Sequence, residues 1–213
     1  MQEQRDIIDC YDKTAENYAN KFINELDNKH LDQILLKAFC EQNKQKGTLI
    51  DLGCGPGQTT KFLFDNGFQH ILGTDISSEM AKIATRLYPD IKFEQADLLQ
   101  LTYANHSFGS AIAFYVIVHF DYEQIKKALS EVKRVLSQHG EFLFSFHIGN
   151  EIVVLDEFLD KNVNIKFQFF EVDKIQRIIE EVGLDIIDII KRQPYKTEHQ
   201  TERAYVWLKN SPR

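Results

Sequence analysis

The stretch LIDLGCGPG at residues 49–57 decides the fold of this chain of 213 residues. It begins as a short, mostly apolar run of the kind that forms a buried strand, and glycines follow at 53, 55 and 57. Glycine lacks a Cβ, so the backbone can turn sharply there and a ligand can approach main-chain atoms. The stretch therefore predicts a strand, a tight turn and, from residue 59, a helix.

Short strand-like runs alternate with helix-length segments after this turn. The predicted strands are 48–52, 70–75, 91–95, 110–115 and 140–146, and the predicted helices are 59–66, 78–88 and 122–136. Later come a helix at 172–182 and two strand-like runs, 184–191 and 203–209. We therefore expect an α/β fold, a Rossmann-like, doubly wound, mostly parallel seven-stranded sheet with an antiparallel C-terminal hairpin.

The remaining segments are expected to belong to the same unit. Residues 1–45 contain no strand-like run and place apolar residues at helical spacing, which predicts a helical N-terminal extension that caps the sheet. Residues 150–171 lie between the fifth strand and the next helix, where a lid can sit. No repeat or low-complexity linker divides the chain, so we expect residues 1–213 to form a single domain.

Composition and charge narrow the classes of function and location. The formal net charge of −7 opposes non-specific binding to a phosphate backbone, so nucleic acid is disfavoured. The longest apolar run, 111–120, is half of the ~20 residues that span a bilayer, and no signal peptide precedes it. Cys10, Cys40 and Cys54 have no metal-type spacing. We expect a cytoplasmic protein without a metal, monomeric or homodimeric.

Asp75 indicates which class of ligand the glycine turn binds. It ends the second strand-like run, ILGTD, and the carboxyl end of that strand should lie beside the turn, where a carboxylate can accept hydrogen bonds from both ribose hydroxyls of a nucleoside. Its structural alternative is a cap for the helix at Ser78. Nicotinamide and flavin enzymes share this arrangement, but their G-x-G-x-x-G fingerprint requires glycine where Gln58 stands, so the spacing disfavours a dinucleotide.

Three further motifs follow in order: QADLL at 95–99, SFGSAIAFY at 107–115, and VKRVL at 132–136 before GEFL. With these motifs and the glycine turn, residues 11–208 resemble the class I S-adenosylmethionine-dependent methyltransferases, particularly the small-molecule, type 11/25-like group. One position departs from the family pattern, because Gly109 stands where an acid is usual at the start of the fourth strand.

The resemblance implies a set of cofactor contacts. The glycine turn holds the methionine part, Asp75 binds the ribose, and Asp97 accepts from the adenine amino group. An N-terminal tyrosine, Tyr11 or Tyr18, reaches the methionine carboxylate. Met80 and Leu98 either sandwich the adenine or simply pack in the core. The complete implied set for S-adenosyl-L-methionine is Tyr11, Tyr18, Asp51, Gly53, Gly55, Gly57, Asp75, Ile76, Met80, Asp97, Leu98 and Phe114.

Two histidines are the candidates for a general base. His119 follows the fourth predicted strand and His147 the fifth, at the edge where parallel sheets bind ligands. A histidine near its ordinary pKa can accept a proton from a hydroxyl or an amine, although both can equally be hydrogen-bonded structural residues. Together with Tyr115 they are the predicted acceptor-binding residues, and the polar stretch 195–203 is expected to add specificity contacts.

These residues favour methyl transfer to an O or N atom of a small molecule. The fourth strand lacks the N/D-P-P-Y loop of adenine and glutamine amino methylases, and no cysteine nucleophile follows it. Three other hypotheses stay open from the sequence: an RNA or protein methyltransferase, a non-catalytic relative that binds the cofactor or a partner, and a nicotinamide dehydrogenase.

Overall fold

The computed structural model describes residues 2–212, and side chains from residue 4 onward. The helices are α1 (Gln2–Phe22), α2 (His30–Asn43), α3 (Gln58–Asp65), α4 (Ser78–Leu87), α5 (Tyr122–Val135) and α6 (Val172–Val182). The strands are β1 (Leu49–Leu52), β2 (Ile71–Asp75), β3 (Lys92–Gln95), β4 (Phe108–Phe114), β5 (Leu136–His147), β6 (Ile152–Phe158), β7 (Lys161–Gln168), β8 (Asp185–Arg192) and β9 (Arg203–Lys209).

Seven strands form one sheet in the order β3-β2-β1-β4-β5-β9-β8. The first five are parallel, and β9 lies antiparallel between β5 and β8. Every residue of β1 and β2 is buried, as expected for central strands covered on both faces. The predicted fold class is confirmed, including the antiparallel C-terminal hairpin.

Helices cover both faces of this sheet. On one face α5 and α6 pack their apolar stripes against β5, for example Ile125 and Ile175 against Phe144. On the other face α2 and α3 contribute Phe39 and Leu63 to a second core cluster. Apolar residues recur at helical spacing in each of these helices, so each helix buries one side against the sheet.

Several boundaries differ from the sequence prediction. β4 begins at Phe108 and β5 at Leu136, because the chain leaves α5 directly into a strand that pairs with β4 across an irregular register at 108–110. Gly109 also gains a steric explanation. A Cβ at that position would lie 1.8 Å from the carbonyl oxygen of Lys46, so the acid usual in the family has no room there.

Helix α1 and the segment at 150–171 meet above the carboxyl ends of the strands. β6 and β7 form a separate two-stranded hairpin, and α1 packs between this hairpin and α4. Asn17 of α1 donates to the carbonyl oxygen of Leu159 at the hairpin turn, and Glu16 forms a two-pronged ion pair with Arg86 of α4. Helix α1 is thereby attached on both sides. Within residues 2–212, every helix is too short or too polar to cross a membrane.

Candidate active site

A single cavity of about 1000 Å³ lies at the carboxyl ends of the parallel strands, beneath α1 and the β6–β7 hairpin. This is the edge at which doubly wound sheets bind ligands. The structure brings almost all of the residues predicted for the cofactor and the acceptor into its wall. They are Tyr11, Tyr18, Asp51, Gly53, Gly55, Asp75, Ile76, Met80, Asp97, Leu98, Phe114, Tyr115, His119 and His147.

The glycine turn forms the floor of the cavity. Gly53 has φ +70, and a Cβ there would lie 2.3 Å from a methyl carbon of Val116, so only glycine fits. The N–H of Gly55 donates to Oδ2 of Asp75 at 2.9 Å. Gly57, which the resemblance also implies as a cofactor contact, differs in position from the other two glycines. It lies outside the cavity wall, where its φ of +90 begins α3 and its missing Cβ makes room for Phe93.

Asp75 joins the turn to the start of α4. Its Oδ2 accepts from Gly55, and its Oδ1 accepts from the N–H of Ser77 at 2.8 Å. The cap of α4 is Ser77 itself, whose hydroxyl accepts from the N–H of Met80. Burial raises the pKa of Asp75 to about 6, even though both backbone N–H groups favour the carboxylate. Each oxygen keeps a lone pair for a ligand hydroxyl.

Asp51 supports the same turn from β1. It is 1% exposed, and its Oδ2 accepts from the hydroxyl of Thr60 at 2.6 Å. Burial raises the pKa of Asp51 to about 7, and the nearby charge of Asp75 acts in the same direction. Cys54, between the first two glycines, is buried, and burial raises the pKa of its thiol well above the ordinary value. The thiol is therefore packed and protonated.

Asp97 lies across the cavity from the glycine turn and reveals a residue that sequence reasoning missed. Its Oδ1 accepts from the N–H of Leu99 at 2.9 Å, and its Oδ2 accepts from Nε2 of Gln4 at 2.6 Å. Gln4 belongs to the first turn of α1, and nothing local in the sequence marks it. Met80 is buried against α1, and Leu98 belongs to the main core, so both have packing roles as well as a place in the wall.

The two N-terminal tyrosines separate into two positions. Tyr18 lies beside the turn, since a Cβ on Gly55 would be 3.8 Å from its ring. The hydroxyl of Tyr11 lies instead 2.7 Å from Nε2 of His119. Of the two, Tyr18 lies against the glycine turn, and Tyr11 is held by His119.

The hydrogen bonds of His119 fix its tautomer. Its Nδ1 lies 3.0 Å from the carbonyl oxygen of Lys166, which can only accept, so Nδ1 carries the proton. Nε2 therefore accepts from the Tyr11 hydroxyl. Burial lowers the pKa of His119 to about 4. The sequence suggested a base near the ordinary histidine pKa, whereas desolvation makes this ring a weaker base that is neutral at physiological pH.

His147 and Tyr115 lie next to each other in the cavity wall. The ring of His147 stacks on Phe169 with centroids 5.2 Å apart, and its Nδ1 lies 2.8 Å from the hydroxyl of Thr201. Burial, followed by the charge of Arg203, lowers the pKa of His147 to about 3. Tyr115 has the left-handed φ of +59, and its hydroxyl lies 2.8 Å from that of Tyr205.

An ion pair folds the polar segment 193–202 against this wall. Both oxygens of Glu198 accept from Arg192, at 2.6 and 2.8 Å. Burial opposes the charge of Glu198, but the bonds from Arg192 hold its pKa at about 2. The segment thereby places Thr197, Glu198 and His199 in the cavity wall. The sequence predicted specificity contacts from this stretch, but not the pairing that holds it.

Lys29 is a second wall residue that the sequence analysis missed. Its ammonium lies 2.7 Å from Glu25 and 4.6 Å from the centre of the Tyr115 ring. It precedes α2 in a charged stretch, which reads as solvated surface, yet its side chain is only 12% exposed. Within residues 2–212, His, Cys, Asp and Glu side chains form no cluster of three that could hold a metal ion.

Residues 49–140 match the protein family described as a methyltransferase domain. This range runs from β1 through the glycine turn to the start of the buried part of β5. The match covers the turn, Asp75, Asp97 and His119, whereas the α1 cap, the hairpin and the 193–202 segment lie outside it.

Similar proteins extend the likeness to nearly the whole chain. An uncharacterized methyltransferase of Alkaliphilus oremlandii is 25% identical over 95% of both chains. A probable tRNA methyltransferase 9B of Bos taurus is 28% identical over 66% of this chain and 29% of its own. The chain spans about half the length of several other relatives.

A solved structure with a similar fold covers the whole molecule. Magnesium protoporphyrin IX methyltransferase from Synechocystis, with bound S-adenosylmethionine, covers 99% of this chain and 98% of its own at a TM-score of 0.74. The two sequences are 16% identical, so the likeness concerns the fold.

Proposed function

We propose that the protein is a methyltransferase that uses S-adenosylmethionine to methylate an O or N atom of a small-molecule acceptor. The observation that carries this proposal is the single cavity that holds two sets of groups. The glycine turn, Asp75 and Asp97 line the same cavity as His119 and His147. A cofactor and an acceptor can therefore meet in one enclosed space, as methyl transfer requires.

The residues at the turn fit S-adenosylmethionine better than a dinucleotide. Asp51, Asp75 and Asp97 supply three carboxyl groups to the cavity wall. These groups suit ribose hydroxyls, an amino group and a sulfonium, and they oppose the negative charge of a pyrophosphate. Asp75 would hold the ribose, Asp97 the adenine amino group, and Ile76 with Met80 the ring faces. The similar Synechocystis methyltransferase binds S-adenosylmethionine on the same fold.

When bound, S-adenosylmethionine would supply a methyl group attached to a sulfonium sulfur. After transfer of the methyl group this sulfur is a neutral thioether. The protein's own contribution is to align the acceptor in line with that bond and to exclude water. Helix α1, the β6–β7 hairpin and the 193–202 segment form the walls that exclude water. Tyr115 and His147 would orient the acceptor from the opposite side.

The Tyr11–His119 pair can take the proton of the acceptor. As the acceptor lone pair bonds to the methyl carbon, its proton passes to the Tyr11 oxygen while the Tyr11 proton moves to Nε2 of His119. The weak basicity of His119, with its pKa near 4, suits an acceptor that releases the proton only as the new bond forms. A neutral amine and a hydroxyl both meet this condition.

Charge and enclosure favour a small acceptor over RNA. The chain carries a net charge of −7, and six carboxyl groups against three cations line the cavity, namely Glu25, Asp32, Asp51, Asp75, Asp97 and Glu198 against Lys21, Lys29 and Arg203. A polyanion is repelled by such a site. An RNA acceptor is the alternative hypothesis, because the probable tRNA methyltransferase 9B is similar to this chain over 66% of its residues.

Release of S-adenosylhomocysteine tests the proposal. The protein is incubated with S-adenosylmethionine and a panel of small phenols, amines and carboxylic acids, and in parallel with total tRNA. We expect product release with a member of the small-molecule panel and none above background with tRNA. Release with tRNA alone would identify the RNA hypothesis as correct, and binding of the cofactor without release in any arm would favour a non-catalytic relative.

A further inference from the structure

Arg203 is a buried cation that lacks a carboxylate at hydrogen-bond distance. It is 2% exposed and lines the cavity next to His147. Its guanidinium donates to the carbonyl oxygen and hydroxyl of Thr201 and to the carbonyl oxygen of His199. All three partners are neutral. Buried charges in proteins are normally paired with an opposite charge. A buried guanidinium whose hydrogen-bond partners are all neutral is therefore unusual.

The carboxylate nearest to Arg203 is already engaged elsewhere. Glu198 lies 3.9 Å from Arg203, beyond hydrogen-bond distance, and both of its oxygens accept from Arg192. Lys29 approaches the same carboxylate at 3.9 Å from its other oxygen. Glu25 neutralises Lys29, and Asp32 lies 3.3 Å from Arg192. Each of the other two cations therefore has a carboxylate of its own, whereas Arg203 shares Glu198 at a distance.

The strand register directs Arg203 into the site. Arg203 begins β9 directly opposite His147 of β5 in the antiparallel pair. Side chains at directly opposite positions project from the same face of the sheet, so the guanidinium lies beside the imidazole. The His147 ring stacks on Phe169, and Tyr115 lies 5.5 Å from it on another side. The imidazole opposite Arg203 thus contacts two further aromatic rings.

We propose that the methyl acceptor carries a carboxylate, which the Arg203 guanidinium binds beside the His147–Phe169 stack. The planar fork of arginine matches the two oxygens of a carboxylate, and the neighbouring rings suit a flat, aromatic body. Because His147 is neutral, with its pKa lowered to about 3, it offers a hydrogen bond and no competing charge. The inference rests on the proposed function and narrows its acceptor class.

Matched pairs of acids and amides test the inference. Binding to the complex of the protein with S-adenosylhomocysteine is measured by ligand-observed NMR for 4-hydroxybenzoate against 4-hydroxybenzamide, and for 3-phenylpropionate against 3-phenylpropionamide. We expect each acid to bind about tenfold more tightly than its amide, as a charge-assisted fork predicts. Equal affinity of acid and amide for the wild type would overturn the inference, whatever the variants do.

Substitution locates the effect. In Arg203→Gln the preference for the acid should disappear, in Arg203→Lys it should shrink, and in Arg177→Gln, an exposed arginine of α6, it should be unchanged. Retention of the full preference in Arg203→Gln would contradict the inference. If Arg203→Gln does not fold, a crystal structure of the wild type with 4-hydroxybenzoate decides, because a carboxylate bound away from Arg203 contradicts the proposal equally.

The same measurements separate this inference from the proposed function. Affinity for S-adenosylhomocysteine is recorded for every variant. If the wild type does not bind S-adenosylhomocysteine, the proposed function fails. If it binds S-adenosylhomocysteine but shows no preference for the acids, only the assignment of a carboxylate-bearing acceptor fails.

Discussion

The Tyr11 hydroxyl donates to Nε2 of His119 across 2.7 Å, although 108 positions separate the two residues. Tyr11 belongs to α1, and His119 follows β4 in a single turn of 3-10 helix. The carbonyl oxygen of Lys166, on β7, holds the opposite side of the imidazole. The cap, the sheet and the hairpin therefore meet at one histidine, so the proposed proton acceptor is complete only when α1 covers the cavity.

Removal of the Tyr11 hydroxyl should reduce the rate of methyl transfer more than cofactor binding. For Tyr11→Phe we expect kcat to fall by roughly 10²-fold, because the proton relay to His119 is lost. Affinity for S-adenosylhomocysteine, measured by calorimetry, should stay within about threefold. Tyr103→Phe, which loses a hydroxyl that donates to Glu94 outside the cavity, is the control. A large loss of affinity in Tyr11→Phe would instead place Tyr11 on the methionine carboxylate.

The protonation of His119 provides a second prediction. Burial lowers its pKa to about 4, so the ring stays neutral throughout the range in which a free histidine becomes charged. With cofactor saturating, kcat should therefore not fall between pH 7.5 and pH 5.5 through titration of this residue. NMR of the imidazole nitrogens should show protonated Nδ1 and unprotonated Nε2 at pH 7. A midpoint near 6.5 for His119 in either measurement would contradict the assignment.

Cofactor affinity should depend on pH through Asp75. Burial raises the pKa of this carboxyl group to about 6, and the ionised form accepts from ribose hydroxyls at both oxygens and more strongly than the protonated form. Below pH 6 the carboxyl must lose its proton before it binds, so affinity for S-adenosylhomocysteine should fall by up to about tenfold per pH unit. Calorimetry between pH 7.5 and pH 5 measures this slope. A flat profile would show that Asp75 does not contact the ribose.

The anchor of α2 to the sheet should contribute measurably to stability. Glu141 of β5 is 2% exposed and accepts from Gln42, Asn43, Lys46 and Trp207. Burial opposes its charge, yet these four donors hold its pKa below the ordinary value. We expect Glu141→Gln to lower the free energy of unfolding by about 2 kcal/mol in urea titrations. Glu180→Gln, on the exposed side of α6, should leave it unchanged, and an equal loss in both variants would contradict the assignment.

Most elements of the main sheet could be predicted because each is encoded locally, whereas the β6–β7 hairpin was not predicted as strands and residues 150–171 were expected only to hold a lid. Buried strands such as β1 and β2 consist of short apolar runs, and α6 was predicted at 172–182, where the structure has it. Boundaries failed where pairing rather than pattern decides. The sequence predicts a helix to residue 136 and a strand from residue 140, but β5 begins at Leu136 because it pairs there with Phe108.

The candidate site could be predicted only in part, for the same physical reason. The glycine turn and Asp75 follow from the local chemistry of one strand, one turn and its neighbour. The partners of His119 and the long 3.9 Å ion pair of Arg203 with Glu198 depend on residues that the fold brings together. Sequence spacing carries no information about the depth of burial, so it could not foresee that desolvation lowers the pKa of both histidines.

Calorimetry with S-adenosylhomocysteine tests the central claim most directly. The wild type should bind one equivalent, and Asp75→Ala should weaken binding by roughly 10²-fold, since a buried carboxylate that accepts ligand hydroxyls is lost. Asp90→Ala, an exposed aspartate after α4, should bind as the wild type does. Absence of binding to the wild type, or undiminished binding to Asp75→Ala, would contradict the assignment of this cavity to S-adenosylmethionine.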